Sequence, residues 1–411
     1  MSDVFEVLLE RGFIQQCTDA EAVRKLLSTE QVTFYVGFDP TADSLHAGSM
    51  LALMGMAHLQ RAGHRPIAII GGGTTLVGDP SGKTELRRMM SREEIESNGR
   101  KLLSQMQRYL DFGEGRGLFL NNADWLCALS YVDFLRDVGR LFKVNEMIKV
   151  EAYRQRLERE EGLSFLEFNY QLLQSYDFLV LFQQYSCVLQ AGGDDQWGNI
   201  VSGMDLIRRK EGKPAFGLTF PLLQTSRGEK MGKTAAGAVW LSAERTPPYD
   251  YYQFWINTDD RDVQRFLGYF TFLPMDEVRR LGGLQGADIR EAKQVLAYEA
   301  TKLAHGAAAA DEARQAARAL FGQGEQDASA IPTSTVDAGR FGAGVSLVEL
   351  FVETGLATSK GAARRLIDQG GAYVNDQQVR DVAALITEQH FSDGALLLRH
   401  GKKKYHRVVL G

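Results

Sequence analysis

The chain has 411 residues, 44% of them hydrophobic and 24% charged, a composition that excludes a disordered, fibrous or membrane-embedded protein and fits an ordinary globular one. Its three cysteines, Cys17, Cys127 and Cys187, have no CxxC spacing, so neither a disulfide framework nor a zinc site is indicated. The net charge of −5 argues against a protein that binds nucleic acid over its whole surface.

From Met1 to Gly12 acidic and apolar residues are mixed, with no basic stretch ahead of an apolar run, so no signal peptide is read. No segment reaches the roughly 20 apolar residues of a membrane span, and a reducing, cytoplasmic location is expected. Val32 to Phe38 is β-branched and aromatic and runs into Asp39-Pro40-Thr41, which predicts a buried strand and a turn. Ser49 to Ala62 predicts a helix, with Gly55 as its weak point, and Pro66 to Gly71 a second strand. Strand, helix and strand in this order imply a parallel α/β domain with any ligand at the carboxyl ends of the strands.

Residues 91 to 180 read as mainly helical, with three-to-four spacing over Asp133 to Phe142 and Asn145 to Arg159. Cys187 to Ala191 predicts another strand, ending in Gly192-Gly193-Asp194-Asp195-Gln196-Trp197-Gly198-Asn199. After Leu218 to Leu223 comes a glycine- and lysine-rich loop, Thr225 to Gly237, and from Pro248 to about Phe321 the chain reads as helical. Gly322 to Gly344 has the composition of a linker. Beyond it, Thr358-Ser359 caps a helix through Gln369, and Ala372 to Val374 with Asn375-Asp376 gives a strand and turn. Residues 346–411 hold 9 Lys and Arg against 7 Asp and Glu, whereas the rest of the chain holds 38 against 45. The closing Lys402, Lys403, Lys404, His406, Arg407 cluster is dense enough to meet a phosphate backbone.

Three segments carry chemistry. Asp39 to Gly48 is a strand end feeding a helix, whose amino-terminal dipole and N–H groups suit phosphate, with His46 at that start. Gly48 lets a planar ligand lie against the backbone. Gly78-Asp79-Pro80-Ser81-Gly82-Lys83-Thr84 resembles the end of a P-loop, but Val77 stands where the first glycine is needed, and no GxGxxG is present. Lys230-Met231-Gly232-Lys233-Thr234 sets two ammonium groups three residues apart, suited to charge developing on a leaving pyrophosphate. In isolation a lone histidine at a helix start is more often a surface residue, and a basic turn more often a solvated one.

Taken together, His46-Ala47-Gly48-Ser49 and Lys230 to Thr234 resemble the HIGH and KMSKS signatures of class I aminoacyl-tRNA synthetases. Tyr35-Val36-Gly37-Phe38-Asp39-Pro40-Thr41, Gly78-Asp79-Pro80-Ser81, Tyr176-Asp177 and Gly193 to Ile200 resemble, in the same order, the tyrosyl-tRNA synthetase forms of these segments. The resemblance covers the chain from about residue 5 to its end. It implies an α/β architecture in which a Rossmann-like parallel-sheet catalytic domain (1–244) precedes a helical anticodon-binding domain (245–322). A linker (323–344) and a small α+β S-four-type RNA-binding domain (345–411) would follow.

The same resemblance implies that L-tyrosine is activated with ATP to tyrosyl-adenylate and then passed to the 3′ end of tRNA(Tyr). Tyr35 and Asp177 would bind the phenolic hydroxyl; Asp79, Tyr170 and Gln174 the ammonium group, with Asp39 nearby. Gly37, Gly48, Gly193, Asp195, Gln196 and Lys233 would meet ATP or the adenylate. Thr41, His46, Lys83, Arg87, Lys230, Lys233 and Thr234 would gather around the phosphates and form the catalytic set, with Mg2+ arriving on ATP and no fixed protein metal site. Lys360, Arg364 and Arg365, with Lys402, Lys403 and Lys404, would face RNA. The family pattern implies a homodimer, with residues 130 to 160 as the expected interface, and no membrane association.

Three departures stand out: Ser49 replaces the second histidine of HIGH, Val36 replaces a cysteine beside the ribose, and Gly232 with Thr234 replace the serines of KMSKS. Ser49 keeps a hydroxyl, whereas Val36 removes any ribose contact at its position. Rival readings are a tryptophanyl-tRNA synthetase, disfavoured because Tyr35 and Asp177 suit a phenol, and a nucleotidyltransferase with a HIGH-like motif, which would lack the RNA-binding parts. A non-catalytic RNA-binding factor is a third, and intact His46, Lys230 and Lys233 weigh against it.

Overall fold

The computed structural model describes residues 3–81, 90–158, 162–226, 228, 233–234, 237–321, 332–342, 344–375, 377–392, 394–401 and 404–411. The chain divides into two compact units, Met1–Asp311 and Glu312–Gly411. No helix among the described residues is long and apolar enough to cross a membrane.

The first unit is built on a sheet of β1 (Gln16–Cys17), β2 (Thr33–Phe38), β3 (Arg65–Ile70), β4 (Leu118–Asn121), β5 (Cys187–Gly193) and β6 (Phe216–Phe220), in the order β1-β6-β5-β2-β3-β4. Every pairing is parallel except that of β1 with β6. Strands β2, β3 and β5 are those predicted, within a few residues, and β6 falls at the Leu218 to Leu223 stretch, for which no element is expected. They are near-continuous apolar runs because helices cover both faces of a parallel sheet. The edge strands β1 and β4 are not expected from the sequence; with two and four half-buried residues they are too short to show a period.

The chain leaves β2, crosses through the helix Ala47–Arg61 and returns as β3. That helix buries most of its length, including Leu51, Leu53, Met54, Met56 and Leu59. Gly55 is needed there: a Cβ at this position would lie 2.6 Å from the Phe220 ring on β6. With β3 and β4 on one side of β2 and β5 and β6 on the other, the strand order reverses at β2. This opens a crevice at the carboxyl ends of β2 and β5.

Residues 131–157 are mainly helical as expected, but in short pieces. They form the short helices Tyr131–Asp137, Val144–Met147 and Glu151–Leu157, with a 3-10 turn at Gly139–Leu141. Of the apolar residues in the expected spacing, Phe134, Val138, Met147 and Tyr153 are buried, whereas Leu135 and Leu157 are exposed. A two-stranded ribbon of β7 (Lys233–Thr234) and β8 (Gly237–Ala238) forms at the end of the stretch Thr225 to Gly237, which is expected as a loop. From Pro248–Ile256 to Ala307–Phe321 the chain is helical as predicted. Most of this region packs within the first unit rather than standing apart. Arg11, just past the first helix, donates to the carbonyls of Gly268 and Thr271 at 2.9 Å, and Phe13 meets Tyr269 at a ring separation of 5.5 Å.

The second unit contains β9 (Thr333–Val336), β10 (Val345–Ser346), β11 (Ala372–Val374), β12 (Gln377–Val379), β13 (Leu385–Ile386), β14 (Ala395–His400) and β15 (Lys404–Leu410). Five of them form a sheet in the order β12-β11-β14-β15-β9, and β10 pairs with β13. The helices Leu347–Glu353 and Lys360–Asp368 complete a core of Leu347, Phe351, Ile367, Leu396, Leu398 and Val408, among others. Ser359 caps the second helix, its side chain accepting from the Ala362 N–H, as the sequence predicts. The linker expectation is corrected at 333–336: β9 pairs in parallel with β15, its four proline-free residues offering their backbone groups to a sheet edge, with β-branched Thr333, Thr335 and Val336 suited to a strand.

Candidate active site

At the end of β2 the chain presents Asp39, and β5 ends in Gly193, so both flank the crevice. Tyr35 and Gln190 stand opposite one another on β2 and β5, both fully buried. Among the described residues neither the Tyr35 hydroxyl nor the Gln190 Oε1 has a hydrogen-bond partner. Orphaned buried polar atoms are costly, and a pair of them mark a place where a ligand supplies the missing partner.

Asp177, on the helix Tyr170–Tyr185, is buried beside them. Asn122 donates to its Oδ2 at 2.9 Å and the Trp125 indole to its Oδ1 at 2.7 Å. Burial pushes its carboxyl up to about 7, against the opposing pull of those two donors, and the charge of Asp39 adds to the rise. Burial, with Asp177 nearby, also drives the Tyr35 phenol well above its ordinary range. A carboxylate held by two donors and a phenol without a partner together form a site for a group that both donates and accepts.

The other side of the crevice is a chain of amides. Asn199 donates to Gln174 at 3.0 Å and to Gln196 at 3.1 Å, and Gln196 donates to Asp79 Oδ2 at 2.8 Å. The Ser81 N–H holds the other Asp79 oxygen at 2.8 Å. Asp39 accepts from Thr74 at 3.2 Å and from the Tyr170 hydroxyl at 3.4 Å. Gly71 makes room for this, since a Cβ there would fall 2.2 Å from Asp39 Oδ1. Two carboxylates, Asp39 and Asp79, are thus aimed at the crevice by neighbours that fix their orientation, as binding of a cationic group requires.

His46 is the N-cap residue of Ala47–Arg61 and makes no side-chain capping bond, which leaves its ring at the helix start. The stretch after β8 runs beside it: Ala47 N–H donates to Val239 and Leu241 N–H to Leu45, both at 2.8 Å, and the His46 and Trp240 rings are 6.3 Å apart. The backbone thereby ties the segment that follows Lys233 and Thr234 to the histidine-bearing helix start.

Two families match in tandem. The family of class I tRNA synthetases for tryptophan and tyrosine (W and Y) matches residues 27–322, and the tyrosine–tRNA ligase SYY-like C-terminal domain matches residues 323–408. A tyrosine–tRNA ligase of Clostridium botulinum is 52% identical over 410 residues, 100% of each chain. The chain belongs to the tyrosine–tRNA ligases of class I. A tyrosine–tRNA ligase of Desulfosudis oleivorans is 53% identical over 99% of each chain. The crystal structure of a C-terminally truncated mitochondrial tyrosyl-tRNA synthetase of Aspergillus nidulans superposes with a TM-score of 0.70 at 30% identity, covering 78% of this chain and 95% of that one.

Within this tyrosine–tRNA ligase, the crevice brings together Tyr35, Asp39, Asp79, Tyr170, Gln174, Asp177 and Gln196 of the predicted site. Gly193 and Asp195 lie at its β5 edge, where a Cβ on the glycine would meet Asp195 Oδ1 at 2.6 Å. Gly37 is on β2 with open space before it, and Gly48 is in the first turn of Ala47–Arg61. Thr41 is exposed just past Asp39. Lys83, Arg87 and Lys230 lie outside the described residues, as do Lys402 and Lys403; of Lys233, Thr234 and Lys404 the backbone alone is described. Arg364 and Arg365 are exposed on Lys360–Asp368, whereas Lys360 is paired with Glu349 at 2.6 Å. Asn122, Trp125, Thr74, Gln190 and Asn199 take part in the crevice without having been singled out. The signal for the first two was available: polar Asn121-Asn122 directly after the apolar Leu118-Phe119-Leu120 is the end of a parallel strand, where ligand contacts concentrate.

Proposed function

We propose that the crevice binds tyrosine with its phenol between Tyr35 and Asp177 and its ammonium group toward Asp79, Tyr170 and Gln174, with Asp39 adjacent. The chain, as a tyrosine–tRNA ligase, joins tyrosine to tRNA through tyrosyl-adenylate. The observation that carries the assignment is the buried pair of Tyr35 and Asp177. A substrate hydroxyl donates to Asp177 and accepts from Tyr35, whereas phenylalanine would leave the buried Tyr35 hydroxyl unpaired and Asp177 with only its Asn122 and Trp125 donors. Tyrosyl-tRNA synthetases are themselves the standard example of such discrimination without editing, a property of the family rather than a result of this geometry.

The tyrosine carboxylate attacks the α-phosphate, the bond to pyrophosphate breaks, and no protein nucleophile is needed. Gly37, Gly48, Gly193, Asp195, Gln196 and Lys233 hold the ATP and adenylate side, while Thr41, His46, Lys83, Arg87, Lys230, Lys233 and Thr234 take the phosphates, Mg2+ entering as part of the nucleotide substrate. The position of His46 at a helix start, with the Val239–Leu241 stretch beside it, supports this arrangement. Tyrosine-dependent exchange of pyrophosphate into ATP, run beside phenylalanine and tryptophan, tests it. Exchange with tyrosine alone, lost in Lys233→Ala, is the expected result; equal exchange with phenylalanine would refute the Tyr35 and Asp177 assignment.

The same reading includes tRNA(Tyr) contacts from the helical region after 245 and from an S-four-type second unit through Arg364 and Arg365, with the Lys402 to Lys404 cluster alongside. Lys360 joins them by giving up an exposed ion pair, which costs little. It also includes a cytoplasmic homodimer. Tyr131, Val132, Val144, Leu157, Phe165 and Leu166 are 48–68% exposed, an apolar concentration that a second copy would cover. Light scattering on the purified chain is expected to give twice the 45.7 kDa chain mass.

A further inference from the structure

The five-stranded sheet of the second unit has one face in the core, occupied by Ala372, Val374, Leu396, Leu398 and Val408. Because side chains alternate along a strand, their neighbours stand on the opposite face. The registers align Gln378, Tyr373, Arg399 and Tyr405 in one row across four strands, and Leu397, Arg407 and Thr333 in the next. The Arg399 guanidinium carbon lies 3.7 Å from the Tyr373 ring centroid and 5.8 Å from that of Tyr405. Tyr373, Arg399, Tyr405 and Arg407 are all partly exposed. Among the described residues of these strands no Asp or Glu occurs on that face.

We infer that this sheet face is a stacking surface for unpaired nucleotides of RNA, a surface separate from the Arg364- and Arg365-bearing helix and resting on the reading that the second unit binds tRNA. Two tyrosine rings and a planar guanidinium follow one another across adjacent strands, roughly 4.8 Å apart. Bases freed from a duplex stack on such planes whatever their sequence. Arg407, one row away, supplies the charge for the phosphate that connects two stacked bases, and the lack of carboxylates among the described strand residues of the face suits a polyanion. A continuous duplex shows only its edges and backbone, so the occupant is a single-stranded stretch such as a loop or junction. A cross-strand pair that merely stabilises the sheet is the competing account of the same row.

Fluorescence anisotropy of the full chain with a labelled tRNA(Tyr) transcript separates the two. Tyr405→Leu keeps an apolar strand residue and removes the ring; it is expected to weaken binding about tenfold, while Tyr405→Phe retains wild-type affinity. Arg407→Ala is expected to reduce the salt dependence by about one phosphate contact, which Tyr405→Leu leaves unchanged. Arg399→Gln is the second variant, needed if Tyr405→Leu unfolds the unit, and should weaken binding comparably. Tyrosine-dependent pyrophosphate exchange should remain at wild-type rate in all four. Wild-type affinity in folded Tyr405→Leu and in Arg399→Gln, alongside weakened binding in an Arg364→Ala, Arg365→Ala double variant, would overturn the sheet-face inference and leave the tRNA reading standing. Wild-type affinity in every one of these variants would remove the second unit from tRNA binding altogether.

Discussion

The two ends of the tyrosine crevice solve different problems. At the phenol end, Tyr35 and Asp177 are buried, and the desolvation of Asp177 is opposed before any ligand arrives by donors from Asn122 and Trp125. At the ammonium end, Asp79 and Gln174 are linked through Gln196 and the buried Asn199, with Asp79, Gln174 and Gln196 themselves half-buried. Burial makes an unmade bond expensive, so the first end selects; solvent access and redundancy make it cheap, so the second end positions.

Breaking the phenol end should have the largest effect. Asp177→Asn is expected to lower kcat/KM for tyrosine about a hundredfold in pyrophosphate exchange and to shrink the preference over phenylalanine by a similar factor, as loss of a charge-assisted bond implies. Tyr35→Phe removes a neutral partner and should cost roughly fivefold in kcat/KM, again with reduced discrimination. At the other end, Asn199→Ala should raise the KM for tyrosine only about two- to threefold, leaving selectivity over phenylalanine intact. A larger effect there than for Tyr35→Phe would reverse the assignment of the two ends.

The titration of Asp177 sharpens the contrast. Its carboxyl lies at about 7 in the folded chain against an ordinary value of 3.8, so between these limits the folded state keeps a proton that the unfolded state has lost. The contribution of Asp177 to stability therefore falls as pH rises from about 4 to about 7. In Asp177→Asn that component disappears, and denaturant unfolding at pH 5 and pH 8 should show a smaller pH difference than in the wild-type chain. In activity, kcat/KM for tyrosine should rise as pH increases through about 7, as the accepting carboxylate forms. Trp125→Phe removes a donor that favours the ionised form and should move that rise to higher pH, the smallest of these effects and the most specific to the phenol end.

What could be read in the sequence followed the physical strength of each signal. The strands β2, β3 and β5 and the helix Ala47–Arg61 are long, apolar and doubly covered, so composition alone marks them. Tyr35, Asp79 and Asp177 were legible through the segments that resemble the family, and Asp39 and His46 also through their place at a strand end and a helix start. Asn122 and Trp125 escaped because they act on Asp177 from the end of β4, a four-residue edge strand that only its polar exit, Asn121-Asn122, gives away. Residues 131–157 were legible as helical, but not their breaks, because apolar spacing serves an exposed surface, as at Leu135 and Leu157, as well as a core. The strand β9 was hidden by composition: Thr333 to Val336 reads as linker, and only its pairing with β15, more than 70 residues later, makes it a strand.

That last pairing bears on the order in which the protein is made. As the chain emerges from the ribosome, β9 appears first of the five sheet strands and β15 last, yet the two are direct neighbours. Until β15 is out of the exit tunnel, β9 has no ladder partner and one edge of β14 stays bare. A nascent chain halted before residue 404 would therefore carry a finished sheet in its first unit and an open, sticky one in its second.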